Sequence, residues 1–196
     1  ILRLAPEDRI AVVQPGVLNG DLQIALAKHK LFWPPDPSSA PFCSIGGNIA
    51  CNAGGPRAVK YGATRDNILA LKAVTGTGVL VEFGSATNKN SSGFDLSRLL
   101  IGSEGGLALV VEATLKLTPR PEARQMLRAL FRDVESAAHA VARVMNQANT
   151  PSMLEFMDAT SIRLAREIGG ADIEDAGALI LLETDGLLSR AIQHET

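Results

Sequence analysis

Cysteine is almost missing from this chain, which holds only Cys43 and Cys51 in 196 residues. Two thiols cannot build a disulfide framework or a zinc site, so a reducing compartment is expected. Neither sign of charge dominates: 19 basic and 21 acidic side chains leave a net charge of −2, which excludes the basic footprint of a nucleic-acid binder. No apolar run approaches the roughly 18–20 residues of a membrane helix; the longest, Ala178 to Leu182, has the length of a strand. A signal peptide is not evident, and the chain opens at Ile1 without an initiator Met. It reads as a piece of a longer, cytoplasmic protein, with any membrane association arising through partner subunits.

Familiar catalytic motifs are missing as well. His29, His139 and His194 stand far apart and form neither H-x-H nor H-E-x-x-H, so no metal site is expected. There is no G-x-S-x-G, which leaves hydrolase chemistry without a nucleophile. There is no phosphate-binding G-x-x-x-x-G-K-[ST]. Gly76-Thr77-Gly78-Val79-Leu80-Val81 lacks the third glycine of the dinucleotide fingerprint and sits between two strands.

What remains is an ordinary globular composition, 46% hydrophobic and 20% charged, with an uneven distribution of glycine. All but four of the 18 glycines lie at or before Gly106, and every lysine lies at or before Lys116. The change falls at Thr118-Pro119-Arg120-Pro121, where two prolines stiffen the chain and interrupt any ladder. Two parts are therefore expected, residues 1–119 and 120–196.

In the first part the patterns predict a strand over Arg9–Gln14 and then a helix capped by Asn19 and running through about Lys30, with Leu22, Ile24, Ala25 and Leu26 inward. Trp33 to Ser39 must be extended or turn, because successive prolines exclude a helix. Gly46 to Gly55 reads as loop with one helical turn. Ile68–Thr75 and Val79–Phe83 form a hairpin, Asp95 caps a short helix over Leu96–Ile101, and Leu107–Leu117 is a long strand. The second part alternates strand and helix: 126–131, 134–149, 153–157, 159–168, 178–183, then a helix from Leu187. That alternation builds helices on a sheet, and the expectation is the start of a ferredoxin-like domain.

Chemistry has to come from two glycine-rich stretches. Cys43 to Gly55 carries small residues at nearly every position, which lets main chain approach a ligand and turn N–H groups toward a pyrophosphate. Ile101-Gly102-Ser103-Glu104-Gly105-Gly106 opens into an apolar strand and suggests contact with a flat ligand. Tight turns for the first stretch and a bulge for the second remain the plain structural alternatives.

Seven ordered blocks carry a closer likeness: Pro34-Pro35-Asp36-Pro37-Ser38-Ser39, Cys43-Ser44-Ile45-Gly46-Gly47-Asn48, Asn52-Ala53-Gly54-Gly55-Pro56-Arg57, Lys60-Tyr61-Gly62, Gly93-Phe94-Asp95-Leu96, Leu100-Ile101-Gly102-Ser103-Glu104-Gly105 and Leu115-Lys116-Leu117-Thr118-Pro119. Together they resemble the FAD-linked oxidases of the vanillyl-alcohol oxidase type, and most closely the glycolate oxidase D-subunit, D-lactate dehydrogenase and D-2-hydroxyglutarate dehydrogenase group. The resemblance implies an α+β fold: the second subdomain of a PCMH-type FAD-binding domain, then the start of a ferredoxin-like cap, with the first subdomain missing. It implies FAD bound by Pro35, Asp36, Ser38, Cys43, Ser44, Gly46, Gly47 and Asn48 near the flavin and pyrophosphate. Asn52, Ala53, Gly54, Tyr61 and Gly62 would follow along the ribityl chain, with Glu104, Gly105, Leu109 and Val110 at the adenine end. Where the family reads Glu-Gly-Thr-Leu-Gly-Ile, this chain has Glu104-Gly105-Gly106-Leu107-Ala108-Leu109.

The implied reaction is oxidation of a small 2-hydroxy acid to the 2-oxo acid, with electrons passed to an acceptor protein or partner subunit and no catalytic residue within this chain. Weak or absent FAD binding by these 196 residues alone is expected. The alternatives are a fold fragment that binds no flavin and an alcohol or sugar oxidase on the same scaffold.

Overall fold

A computed structural model describes residues 1–186 and divides the chain into two compact units, meeting between Arg120 and Pro121. The helix expected from Leu187 lies outside the described residues.

The first unit runs β1 (Arg3–Ala5), β2 (Ile10–Val13), α1 (Asn19–Ala27), β3 (Leu31–Phe32), α2 (Ile45–Cys51) and α3 (Ala58–Tyr61). A 3-10 turn over Thr64–Asn67 follows, then β4 (Ile68–Thr75), β5 (Leu80–Gly84), α4 (Leu96–Leu100), β6 (Ala108–Lys116) and β7 (Thr118–Pro119). Five strands form an antiparallel sheet in the order β1-β2-β6-β4-β5. The long apolar strand β6 is central, paired with β2 on one side and β4 on the other, so its main-chain polar groups find partners at both edges. The β4–β5 hairpin closes through Thr75 and Val79, with Gly78 at φ +80°, a conformation glycine holds without strain.

Buried side chains of the sheet (Val13, Leu71, Ala113, Leu115) pack with Leu22 and Leu26 of α1 and with Ile45 and Ile49 of α2. Trp33 is fully buried among them, and its indole N–H donates to the Asn67 carbonyl at 3.1 Å. Leu22 and Leu26 are one turn apart and face inward as expected; Ile24 is 67% exposed. At 100° per residue it points nearly opposite Leu22. Asn19 does not cap α1. Leu18 is the N-cap residue, while the buried Asn19 amide donates to the Pro35 carbonyl at 3.0 Å and pins the proline-rich segment. The prolines after Leu117 do end the large sheet, yet Thr118–Pro119 then pairs with β3.

The second unit contains β8 (Ala123–Phe131), α5 (Val134–Met145), β9 (Met153–Asp158), α6 (Ala159–Glu167) and β10 (Ala178–Gly186). Its sheet has the order β8-β10-β9, with β10 antiparallel to both neighbours. Strands β8 and β9 therefore run parallel, joined by α5, with β10 inserted between them. This is the split β-α-β unit of ferredoxin-like domains. Ala137 of α5 packs on Ala178 and Ile180 of β10. Asp133 and Asp158 cap α5 and α6, their carboxylates accepting from the amides of Ser136 and Ser161 at 2.8 and 2.7 Å. Those backbone hydrogen bonds hold both carboxyls below the ordinary range.

Among the described residues, no helix is long and apolar enough to cross a membrane and no His/Cys/Asp/Glu cluster could hold a metal.

Candidate functional site: a main-chain groove in the first unit

Helix α2 is longer than the single turn expected of so glycine-rich a stretch. Glycine disfavours helix by about 1 kcal/mol per residue relative to Ala. Burial of Ile45 and Ile49, with the Ser44 hydroxyl accepting from the Gly47 amide at 3.0 Å, offsets that cost. The helix ends at Asn52, which sits in the left-handed region at φ +49°, one of the few non-glycine residues that tolerate it.

The first-turn amides of α2 are already occupied. Ile45 donates to Val17, Gly46 to Pro15 and Asn48 to Ser44, at 2.8, 2.8 and 3.0 Å. The expectation that this stretch turns its N–H groups outward therefore fails at α2. Gly46 serves instead for close approach of chain to chain, since a Cβ there would lie 2.6 Å from Pro15 Cβ.

The second glycine stretch is bonded directly onto the end of α2. Gly102 N–H donates to the Ile49 carbonyl at 2.9 Å and Glu104 N–H to the Ala50 carbonyl at 3.0 Å. Gly102, Glu104 and Gly105 all have positive φ, at +87°, +51° and +78°, which coils the segment before it enters β6. The Gly105 amide has no acceptor among the described residues.

Between these stretches lies a groove of about 820 Å³. Ser44, Gly46 and Gly47 line it from one stretch, and Gly105, Leu109 and Val110 from the other. Pro15, Gly16 and Val17, in the turn after β2, complete that wall. Sequence reasoning missed this turn, although Pro15-Gly16 directly after a predicted strand marks it. No lining residue is charged. At Gly16 and Gly105 a Cβ would meet no protein atom within 4 Å, so the space beside them is open to a ligand. The Asn48 side chain, 3% exposed, leaves its Nδ2 without a partner. An apolar trough edged by bare main chain, with the Gly105 amide on its wall, fits a flavin nucleotide.

The remaining expected site residues are placed otherwise. Pro35 is buried and gives its carbonyl to Asn19. Asp36 receives the Arg57 amide at 3.2 Å and the Arg57 guanidinium at 3.3 Å, and a Cβ at Gly55 would overlap it. Its carboxylate clamps the loop that contains Gly54. Ser38 is exposed, and half-buried Cys43 accepts the Asn19 main-chain N–H at its carbonyl. The Asn52 carboxamide oxygen accepts the Arg65 amide at 2.9 Å, and the Ala53 carbonyl takes the Thr64 amide and hydroxyl at 3.0 and 2.7 Å. Tyr61 meets Phe32 edge-on with ring centroids 5.3 Å apart, next to Gly62 at φ +77°. Glu104 is exposed. None of these residues is in the lining of the groove.

Two family profiles match the chain: "FAD binding domain" over residues 1–84 and "FAD linked oxidases, C-terminal domain" over residues 120–196. Both parts of the chain therefore match families of FAD-linked proteins, and the chain is similar to the FAD-linked oxidases, a class whose cofactor is FAD. Within that class it is similar to the glycolate oxidase subunit GlcD of Escherichia coli (strain K12), 44% identical over 190 residues that cover 96% of this chain and 38% of the relative. It is 50% identical to the D-2-hydroxyglutarate dehydrogenase of Xanthomonas citri pv. viticola over 124 residues, 63% of this chain and 26% of that protein. The chain thus spans less than half the length of these curated relatives. Among solved structures, an alkyldihydroxyacetonephosphate synthase superposes with a TM-score of 0.78 at 23% identity, over 96% of this chain and 37% of its own; that likeness concerns the fold.

Proposed function

We propose that residues 1–119 supply one wall of the FAD site of a 2-hydroxy-acid dehydrogenase or oxidase, and that residues 120–196 begin its substrate-side domain. One observation carries the reading: glycine stretches far apart in sequence line a single uncharged groove with open space beside Gly16 and Gly105. The relatives named for glycolate and D-2-hydroxyglutarate support the substrate class.

FAD, when bound, supplies a two-electron acceptor for the C2 hydrogen of the substrate, whose hydroxyl proton is released as the 2-oxo acid forms. The described residues orient and enclose. Gly16 and Gly47 let the ligand approach main chain; Leu109 and Val110 give it an apolar bed that displaces water; the Gly105 amide is a fixed donor. The Asp36–Arg57 clamp and the Thr64–Ala53 hydrogen bonds hold the frame at a fixed spacing, which is where positioning gains arise. No proton-transfer step is assigned to these residues. Electrons leave to a protein acceptor or partner subunit.

The test is to express the natural full-length reading frame and follow flavin bleaching under anaerobic conditions with glycolate, D-lactate and D-2-hydroxyglutarate. Bleaching by one of these is expected. Bleaching only by an alcohol or a sugar would overturn the substrate class, and a colourless protein that takes up no FAD would overturn the cofactor site.

A further inference from the structure

We infer that Arg65 is a positioning residue that sets the spacing of the groove's two glycine stretches, and so the fit of the flavin nucleotide. This rests on the FAD reading above. Arg65 lies in the 3-10 turn, half-buried, and touches both stretches at once. Its amide donates to the Asn52 side chain at 2.9 Å, where α2 ends. Its guanidinium Nη2 donates to the Ile101 carbonyl at 3.1 Å, where the second stretch begins. A Cβ at Gly102 would fall 3.2 Å from Asn52 Cβ and 3.5 Å from Arg65 Nη2, so the three residues close on one another behind the groove. Asn52 and Ile101 belong to segments whose neighbours are already joined through Gly102 to Ile49 and Glu104 to Ala50. Arg65 thereby ties the far side of that junction. Its Nε is buried without a partner, so its place there is not explained by satisfying its own hydrogen bonds.

The geometry also specifies what the side chain must offer. The carbonyl of Ile101 faces a donor on a long planar arm, and neither a lysine ammonium nor an apolar isostere reproduces it. An arginine whose role was only to shield the core would be replaced without loss by methionine.

The experiment uses the natural full-length protein as Arg65→Ala, Arg65→Met and Arg65→Lys, with Arg98→Ala as control; Arg98 pairs with Asp66 and Asp95 away from the groove lining. FAD affinity is measured by flavin fluorescence, and amide hydrogen exchange at Gly102 and Glu104 is followed in the flavin-free protein. Expected are an FAD affinity weaker by about tenfold or more in all three variants, faster exchange confined to residues 101–106, and recovery of affinity in Arg65→Ala with added ethylguanidinium. Wild-type affinity in Arg65→Met would overturn the inference. So would exchange rising throughout the first unit, or failure of both Arg65→Ala and Arg65→Met to fold, since either result makes the residue a general stabiliser. Should the wild-type protein bind no FAD, the cofactor reading falls, while localised exchange still decides whether Arg65 holds the two stretches together.

Discussion

Replacing Gly46 by alanine tests whether the close approach at α2 belongs to the protein's own packing. The new Cβ would stand 2.6 Å from Pro15 Cβ and 3.1 Å from the Pro15 carbonyl oxygen. Carbon atoms rest about 3.5–4.0 Å apart, so α2 or the Pro15 turn must move by about 1 Å. Pro15 cannot give way as a flexible side chain would, because its ring is rigid and its carbonyl holds the Gly46 amide at 2.8 Å. Overpacking of this kind costs about 1–3 kcal/mol, while glycine to alanine in a helix returns up to about 1 kcal/mol. A net loss of about 1 kcal/mol follows, which in a protein of this size lowers Tm by about 2–4 °C. Flavin affinity should fall with it, since Gly46 and Pro15 both line the groove. Gly16→Ala is the matched comparison: its Cβ meets no protein atom within 4 Å and its φ is not positive, so stability should stay within about 0.5 kcal/mol while the added methyl intrudes on the ligand. Thermal melts and flavin titrations of both variants decide the matter. An unchanged melt for Gly46→Ala, or a large drop for Gly16→Ala with flavin binding intact, would refute the reasoning.

Two further outcomes concern stability alone. Trp33→Phe removes the indole N–H that serves the Asn67 carbonyl and leaves space in a fully buried site, so a loss of about 2–4 kcal/mol is expected in denaturant titrations read by circular dichroism; an unchanged midpoint would contradict the packing described. Asp133 and Asp158 titrate below the ordinary carboxylate range because the Ser136 and Ser161 amides donate to their charged forms. Their stabilisation is complete above the unfolded pKa near 4 and is lost as pH falls through the lower folded values. Hydrogen exchange in α5 and α6 should therefore accelerate on acidification, and the double variant Asp133→Asn/Asp158→Asn should flatten that dependence. An identical acid response would rule the caps out as its source.

Local chemistry was legible in the sequence wherever it decides the structure by itself. The Thr75–Gly78 turn, the Asp95 cap and the proline segment from Trp33 each behave as neighbouring residues dictate. Reading failed where a distant partner intervened. Asn19 looks like a cap, but the Pro35 carbonyl, sixteen residues away, takes its amide. The glycines of α2 argue for loop, but Ile45 and Ile49 gain more by entering the core as a helix than the glycines lose.

The glycines make the same point about the site. A glycine in sequence announces that something comes close, and it cannot say whether that something is ligand or chain. Here the answer differs from residue to residue. A Cβ at Gly46 strikes Pro15, at Gly55 strikes Asp36 and at Gly84 strikes the Leu69 carbonyl; these are glycines of packing. Gly16 and Gly105 open onto unfilled space beside the groove. Gly46 and Gly55 set how near α2, the Pro15 turn and the proline segment stand to one another. Substitutions there should disturb stability and flavin binding together, whereas at Gly16 binding should change while the melt does not.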